Sequence, residues 1–95
     1  MTNITNNING EKGRFEINFE GEPAGLMEYT KDSDSQITIT HTEVDEAFGG
    51  KGLGGLLVKA AVDYAKENNL KIRPACSFAK HVLEKDNQYK DVLVS

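Results

Sequence analysis

Three side chains in this sequence could do chemistry: Cys76, His41 and Glu43. A thiol can act as a nucleophile or hand over a proton. An imidazole titrates near neutral pH, and a carboxylate can take a proton from an incoming group. Beside them stands Phe48-Gly49-Gly50-Lys51-Gly52-Leu53-Gly54-Gly55, in which five of eight residues are glycine. A glycine loop that opens a helix exposes bare amides to an anion, and the helix N-terminus adds partial positive charge. Lys51 adds a full one. The three reactive side chains are scattered and lack paired close spacing, so they do not read as a zinc site.

The elements that must position these groups follow from periodicity. Arg14 to Glu20 alternates, with Phe15, Ile17 and Phe19 on one face, as in a half-buried strand. Gly21-Glu22-Pro23 reads as a turn, and residues 24–31 as a second strand with Met27 and Tyr29 on one face. Asp32 to Ser35 is a polar turn. Gln36 to Val44 is a third strand, in which regular pleating puts Ile37, Ile39, His41 and Glu43 on one face. A helix over 52–68 carries an apolar stripe at Leu53, Leu56, Leu57, Ala60, Ala61, Tyr64 and Ala65. Leu70 to Arg73 is a fourth strand, ended by Pro74. A last helix runs from Ser77, its N-cap, to about Lys85, with His81 on a solvated face. The Asn- and Thr-rich start, residues 1–10, reads as a partly flexible end or short edge strand before a turn at Asn9-Gly10.

Strand, helix and strand with short links make a βαβ unit, whose two strands are parallel. The expected fold is therefore α/β (α+β). It has a mixed, mostly antiparallel sheet of about four strands in order 1-2-3-4, one long helix and a short C-terminal helix. Parallel strands end at the same sheet edge, so the glycine loop and Cys76 share one rim, where open α/β sheets bind ligands.

Which phosphate motif the loop represents can be narrowed. A P-loop needs G-x-x-x-x-G-K-[ST], and Lys51 is followed by Gly52. Gly50, Gly52 and Gly55 match G-x-G-x-x-G, but no acidic residue follows at the end of the next strand. Gly49-Gly50-Lys51-Gly52-Leu53-Gly54 resembles the [RQ]-x-x-G-x-[GA] signature of the GNAT N-acetyltransferase superfamily, with Gly49 at the position commonly held by Arg or Gln. His41-Thr42-Glu43-Val44, Leu56-Leu57-Val58, Ala65 and Pro74-Ala75-Cys76-Ser77-Phe78 extend the likeness to the small GNAT-like proteins that keep only the acetyl-CoA-binding core, over roughly residues 10–93.

The resemblance implies that acetyl-CoA binds through Gly49, Gly50, Lys51, Gly52, Leu53, Gly54 and Gly55, with Ser77, and that the pantetheine arm lies along Thr42 to Val44. GNAT proteins bulge in that strand and splay it from the next. The resemblance makes Cys76 a catalytic candidate, as acyl acceptor or as a contact to the CoA thiol, with His41 or Glu43 as base. It implies transfer of acetyl to an amine, or a non-catalytic acyl-CoA-binding module. Ordinary members carry two helices after the first strand; Gly21-Glu22-Pro23 leaves no room for them, so the acceptor site is shallower or completed by a partner.

Composition sets the outer bounds. Ninety-five residues, 38% hydrophobic and 27% charged, suit one domain spanning 1–95. A net charge of −4 argues against a nucleic-acid partner. One cysteine excludes an intrachain disulfide. No apolar run reaches membrane-spanning length and no leader pattern opens the chain, so a cytoplasmic monomer or weak dimer is expected.

Overall fold

The computed structural model describes residues 2–94; Met1 and Ser95, the ends of the expected 1–95 unit, lie outside them. Five strands form one sheet in chain order: β1 (Thr2–Asn9), β2 (Lys12–Phe19), β3 (Glu22–Ser33), β4 (Gln36–Val44) and β5 (Lys71–Pro74). Helix α1 (Leu53–Glu67) joins β4 to β5, and α2 (Ser77–Lys85) follows β5. Short 3₁₀ turns span Glu46–Phe48 and Asn87–Val92. The first four strands are antiparallel and β5 runs parallel to β4.

The fold class is the expected one, with one strand more than the four anticipated. The Asn-rich start is a strand paired to β2 without a break from Thr2↔Phe19 to Asn9↔Lys12. Asparagine is poor in strands by propensity, yet cross-strand pairing decides here. Glu20 and Gly21, both at positive φ (52° and 83°), make the β2–β3 turn, so Glu22 and Pro23 already belong to β3 rather than to the turn.

Phe15, Ile17, Met27, Tyr29, Ile37, Ile39 and Ile72 present one buried sheet face to α1 and α2. The helix meets it through a stripe turned from the expected one. Leu53, Leu57, Val58, Ala61, Val62 and Ala65 are buried, whereas Leu56 stays 39% exposed. Val58 and Val62 turn inward because the core continues past the sheet, to Ala79 and Leu83 of α2 and to Val92. Tyr29 is buried, donates a hydrogen bond to Asn6 Oδ1 at 2.8 Å, and lies over Gly13, where a Cβ would run into its ring.

Candidate functional site

The site begins with one extra residue. Glu28 pairs with His41 and Tyr29 with Ile39, so Thr40 is a bulge in β4. Its hydroxyl donates to the Glu28 carbonyl at 3.2 Å. A bulge shifts the pleat by one. Thr42 opposite Met27 therefore falls on the same face as Ile39 opposite Tyr29, while His41 and Glu43 turn to the outer face. The expectation that Ile37, Ile39, His41 and Glu43 share a face is corrected by this residue. Thr40 carries no sequence signature of a bulge, being neither glycine nor proline.

Just above the bulge the sheet opens. The β4–β5 ladder ends at Ile39↔Pro74. The Ala75 and Cys76 amides both donate to the Ile39 carbonyl, at 3.0 and 3.1 Å, and the chain then turns into α2. Beyond that point β4 runs on to Val44 with β3 on one side only. The Asp45 amide points to Ala24 in β3. Strand alternation then turns the Thr42 and Val44 backbone groups the other way, toward the opening.

Cys76 sits at the mouth of that opening, half-buried. Its thiol donates to Thr42 Oγ1 at 3.6 Å. Burial pushes the thiol up, but the Ala79 amide, the Thr42 hydroxyl, and the Phe78 and Thr42 amides together outweigh it, and the thiol titrates below its ordinary value. The helix N-cap is Cys76 itself rather than Ser77, and although its side chain makes no capping hydrogen bond, the Phe78 and Ala79 amides favour the thiolate.

The glycine loop lies at the same end of β4. Asp45 caps the 3₁₀ turn by accepting the Ala47 amide at 2.9 Å. Gly50 and Gly52 then take φ values of 79° and 74°, and Gly52 becomes the N-cap of α1. Only glycine enters that left-handed region without cost. The first intrahelical bond runs from Leu56 N–H to the Gly52 carbonyl at 3.2 Å. The amides of Leu53, Gly54 and Gly55 thus precede it, with no side chain capping them and no acidic residue in the first turn. Gly54 leaves room for the Phe78 ring of α2, and Gly55 faces open space. Lys51 is exposed, its ammonium 5.0 Å above the Phe19 ring, which in turn meets Phe48 edge-on.

These residues fit a pyrophosphate-bearing thioester: uncapped amides and a lysine at one end, an open strand edge in the middle, a thiol at its far end. The structure thus brings Thr42 and Cys76 together at the opening, with Val44 farther along the same strand edge, Ser77 exposed at the start of α2, and Gly49 to Gly55 in the loop that follows the end of β4. It sets His41 and Glu43 apart on the outer face, where His41 faces Glu28 and Glu28 pairs with Arg14 at 3.0 Å. A concavity of about 580 Å³ on that face is lined by Glu16, Leu26, Glu43, Val44 and Asp45 among others. It touches the opening only through Val44.

Comparison with known proteins agrees with this geometry. Residues 14–92 match the profile of the GCN5-related N-acetyl-transferase family. A GCN5-like protein from Staphylococcus aureus is 41% identical, with a TM-score of 0.73 over 100% of this chain and 92% of that one. A GNAT family acetyltransferase from Elizabethkingia anophelis, solved with acetyl-CoA bound, shares the fold at 15% identity, with a TM-score of 0.72 over 88% of this chain and 73% of that one. Protein NATD1 of Xenopus tropicalis is 41% identical over 49 residues, which are 50% of this chain and 45% of that protein. The match therefore spans under half the length of that relative.

Proposed function

This chain belongs to the GCN5-related N-acetyltransferase family, and on that premise we propose that it binds acetyl-CoA and transfers the acetyl group to an amine. The observation that carries the reading is the bulge at Thr40, which puts Thr42 beneath the Cys76 thiol where β4 and β5 part. Supporting it, the S. aureus relative covers nearly its whole length, and the E. anophelis structure holds acetyl-CoA on the same fold.

Bound acetyl-CoA would supply an acetyl group activated as a thioester. The chain's own residues would hold and orient it. The amides of residues 50–55, with Gly49 and Lys51, take the pyrophosphate at the positive end of α1. The Thr42 and Val44 backbone pairs with the pantetheine amides, and a β4 amide polarises the thioester carbonyl. Ser77 borders the arm from α2. A protonated amine must lose a proton before it attacks. His41 and Glu43 serve as bases for an amine that enters the splay from the outer face of β4, the side opposite Thr42 and Cys76. Cys76 would donate its proton to the departing CoA thiolate; in the covalent alternative its sulfur would take the acetyl, CoA would leave with the thiol's proton, and the amine would then displace the Cys76 sulfur. The acceptor is a small amine or a protein amine. The unit acts as one acyl-CoA-binding body over its length. A cytoplasmic setting suits its single cysteine, and no helix among the described residues is long and apolar enough to cross a membrane.

Calorimetric titration with acetyl-CoA tests the binding step. Absence of heat at high ligand concentration sinks the reading. Intact-mass measurement after exposure to acetyl-CoA separates the two roles of Cys76, since only the covalent one adds an acetyl group to wild type and not to Cys76→Ala. A second reading, a non-catalytic acyl-CoA-binding module, is favoured by one observation. With β1 as the first strand, the link after it is only Gly10 and Glu11, and the β2–β3 link only Glu20 and Gly21, so neither holds helices to wall an acceptor site. Tight acetyl-CoA binding without turnover across amines and peptides would select it.

A further inference from the structure

The sheet has two edges, and they are treated differently. At β5 the edge is four residues long, carries Lys71, Arg73 and Pro74, and is closed from outside by the C-terminal segment. Ile72 bridges to Leu93, and the Val94 amide donates to the Ile72 carbonyl at 3.0 Å. At the other edge β1 is eight residues long and pairs with β2 alone, in unbroken register. Natural edges are guarded by charge, proline, a bulge or shortness. Thr2–Asn9 has none of these, in a chain with 11 basic and 15 acidic residues.

We propose that β1 is a self-association edge, pairing antiparallel with β1 of a second copy about a twofold axis at Asn6. A twofold contact must be self-complementary, and this strand is. Asn3-Ile4-Thr5-Asn6-Asn7-Ile8-Asn9 reads nearly the same in both directions from its centre. Antiparallel pairing there sets Asn3 against Asn9, Ile4 against Ile8 and Thr5 against Asn7, each twice. Ile4 and Asn6 lie opposite Ile17 and Phe15 of the buried face, and Ile8 lies on that face too, opposite Gly13. Ile8 is 59% exposed in the single chain, and the second copy's Ile4 would cover it. Charge favours this edge over the rest of the surface. Two copies at net −4 repel each other, and an uncharged strand is where that repulsion is weakest. A strand-edge contact of this length is smaller than a standard interface of about 1,600 Å², so the association is concentration-dependent.

The test is molar mass by light scattering and sedimentation across a concentration series, with nuclear Overhauser contacts between the Ile4 and Ile8 methyl groups. Within one strand these residues stand about 13 Å apart, too far for such a contact, so a contact between them can arise only across the axis. The expected result is a mass rising from 10.4 kDa toward twice that value, an Ile4–Ile8 contact, and return to the monomer mass in Ile8→Lys, whose exposed site leaves fold and acetyl-CoA binding unchanged. A wild type that stays monomeric throughout overturns the proposal. So does a dimer that lacks the Ile4–Ile8 contact or that survives Ile8→Lys.

Discussion

At the scale of single residues, the environment of Cys76 makes the sharpest claim. Its thiol lies below the ordinary value of 9.0 because α2's first amides and Thr42 outweigh burial. A lowered value in the folded chain stabilises the fold above the ordinary value, and that contribution fades as pH falls through the lowered one. Alkylation followed against pH should therefore show a midpoint below 9.0, moving up in Thr42→Val. A midpoint at or above 9.0 would remove the support for a reactive thiol. Tyr29 gives the opposite sign. Burial pushes it from 10.0 up to about 12. The stability it contributes is complete below pH 10 and is lost as pH rises toward 12. Melting temperature should fall across that window in wild type and fall less in Tyr29→Phe, which loses about 1 kcal/mol at neutral pH with its hydrogen bond. Cys76 could be picked from the sequence because it follows a strand and opens a helix. That it caps the helix in place of Ser77 could not, since cysteine is not a favoured cap and only the chain's exit from β5 decides it.

At the scale of elements, the glycine loop and the β4 bulge do different work. The loop was legible because glycine placed before an amphipathic run has few other uses. Gly52→Ala should cost about 1–2 kcal/mol for its left-handed backbone, measured by urea unfolding, and should weaken acetyl-CoA binding further than that loss explains. Equal binding in a folded Gly52→Ala protein would separate the loop from the ligand. The bulge was anticipated only through family likeness, because Thr40 looks like any strand residue. Inserting an alanine between His41 and Thr42 carries Thr42 one step along the pleat, onto the outer face and away from Cys76. The expected outcome is a folded protein with an alkylation midpoint shifted upward and acetyl-CoA binding lost. An unchanged midpoint would show that the face on which the bulge sets Thr42 does not govern the thiol. The rotated stripe on α1 has a similar lesson. The stripe read from the sequence took Leu56 inward and left out Val58 and Val62, which are buried because the core extends to Ala79 and Leu83 of α2 and to Val92.

At the scale of the whole molecule, the alternation in β2 to β4 and the parallel crossover made the sheet readable, whereas β1 stayed between a flexible end and a short edge strand, because Asn and Thr signal turns as readily as edges. The strand order repeats the chain order, and this has a kinetic consequence. Each strand of the β1–β4 meander pairs with the one just made, across turns of two residues, so those contacts close with little loop entropy. The β4–β5 ladder must wait for all of α1 to be laid down between them. The opening beside Cys76 therefore comes into being with the last ladder to form, and is the first to be undone. Native-state hydrogen exchange should find the Ala75 and Cys76 amides, both bonded to the Ile39 carbonyl, released by smaller openings than those of Phe15 and Met27, and acetyl-CoA should slow the former pair more than the latter. Uniform protection across the four would assign the sheet to a single cooperative unit. In the staged case the meander persists as a scaffold, and the site is a late, separately adjustable event in the life of the chain.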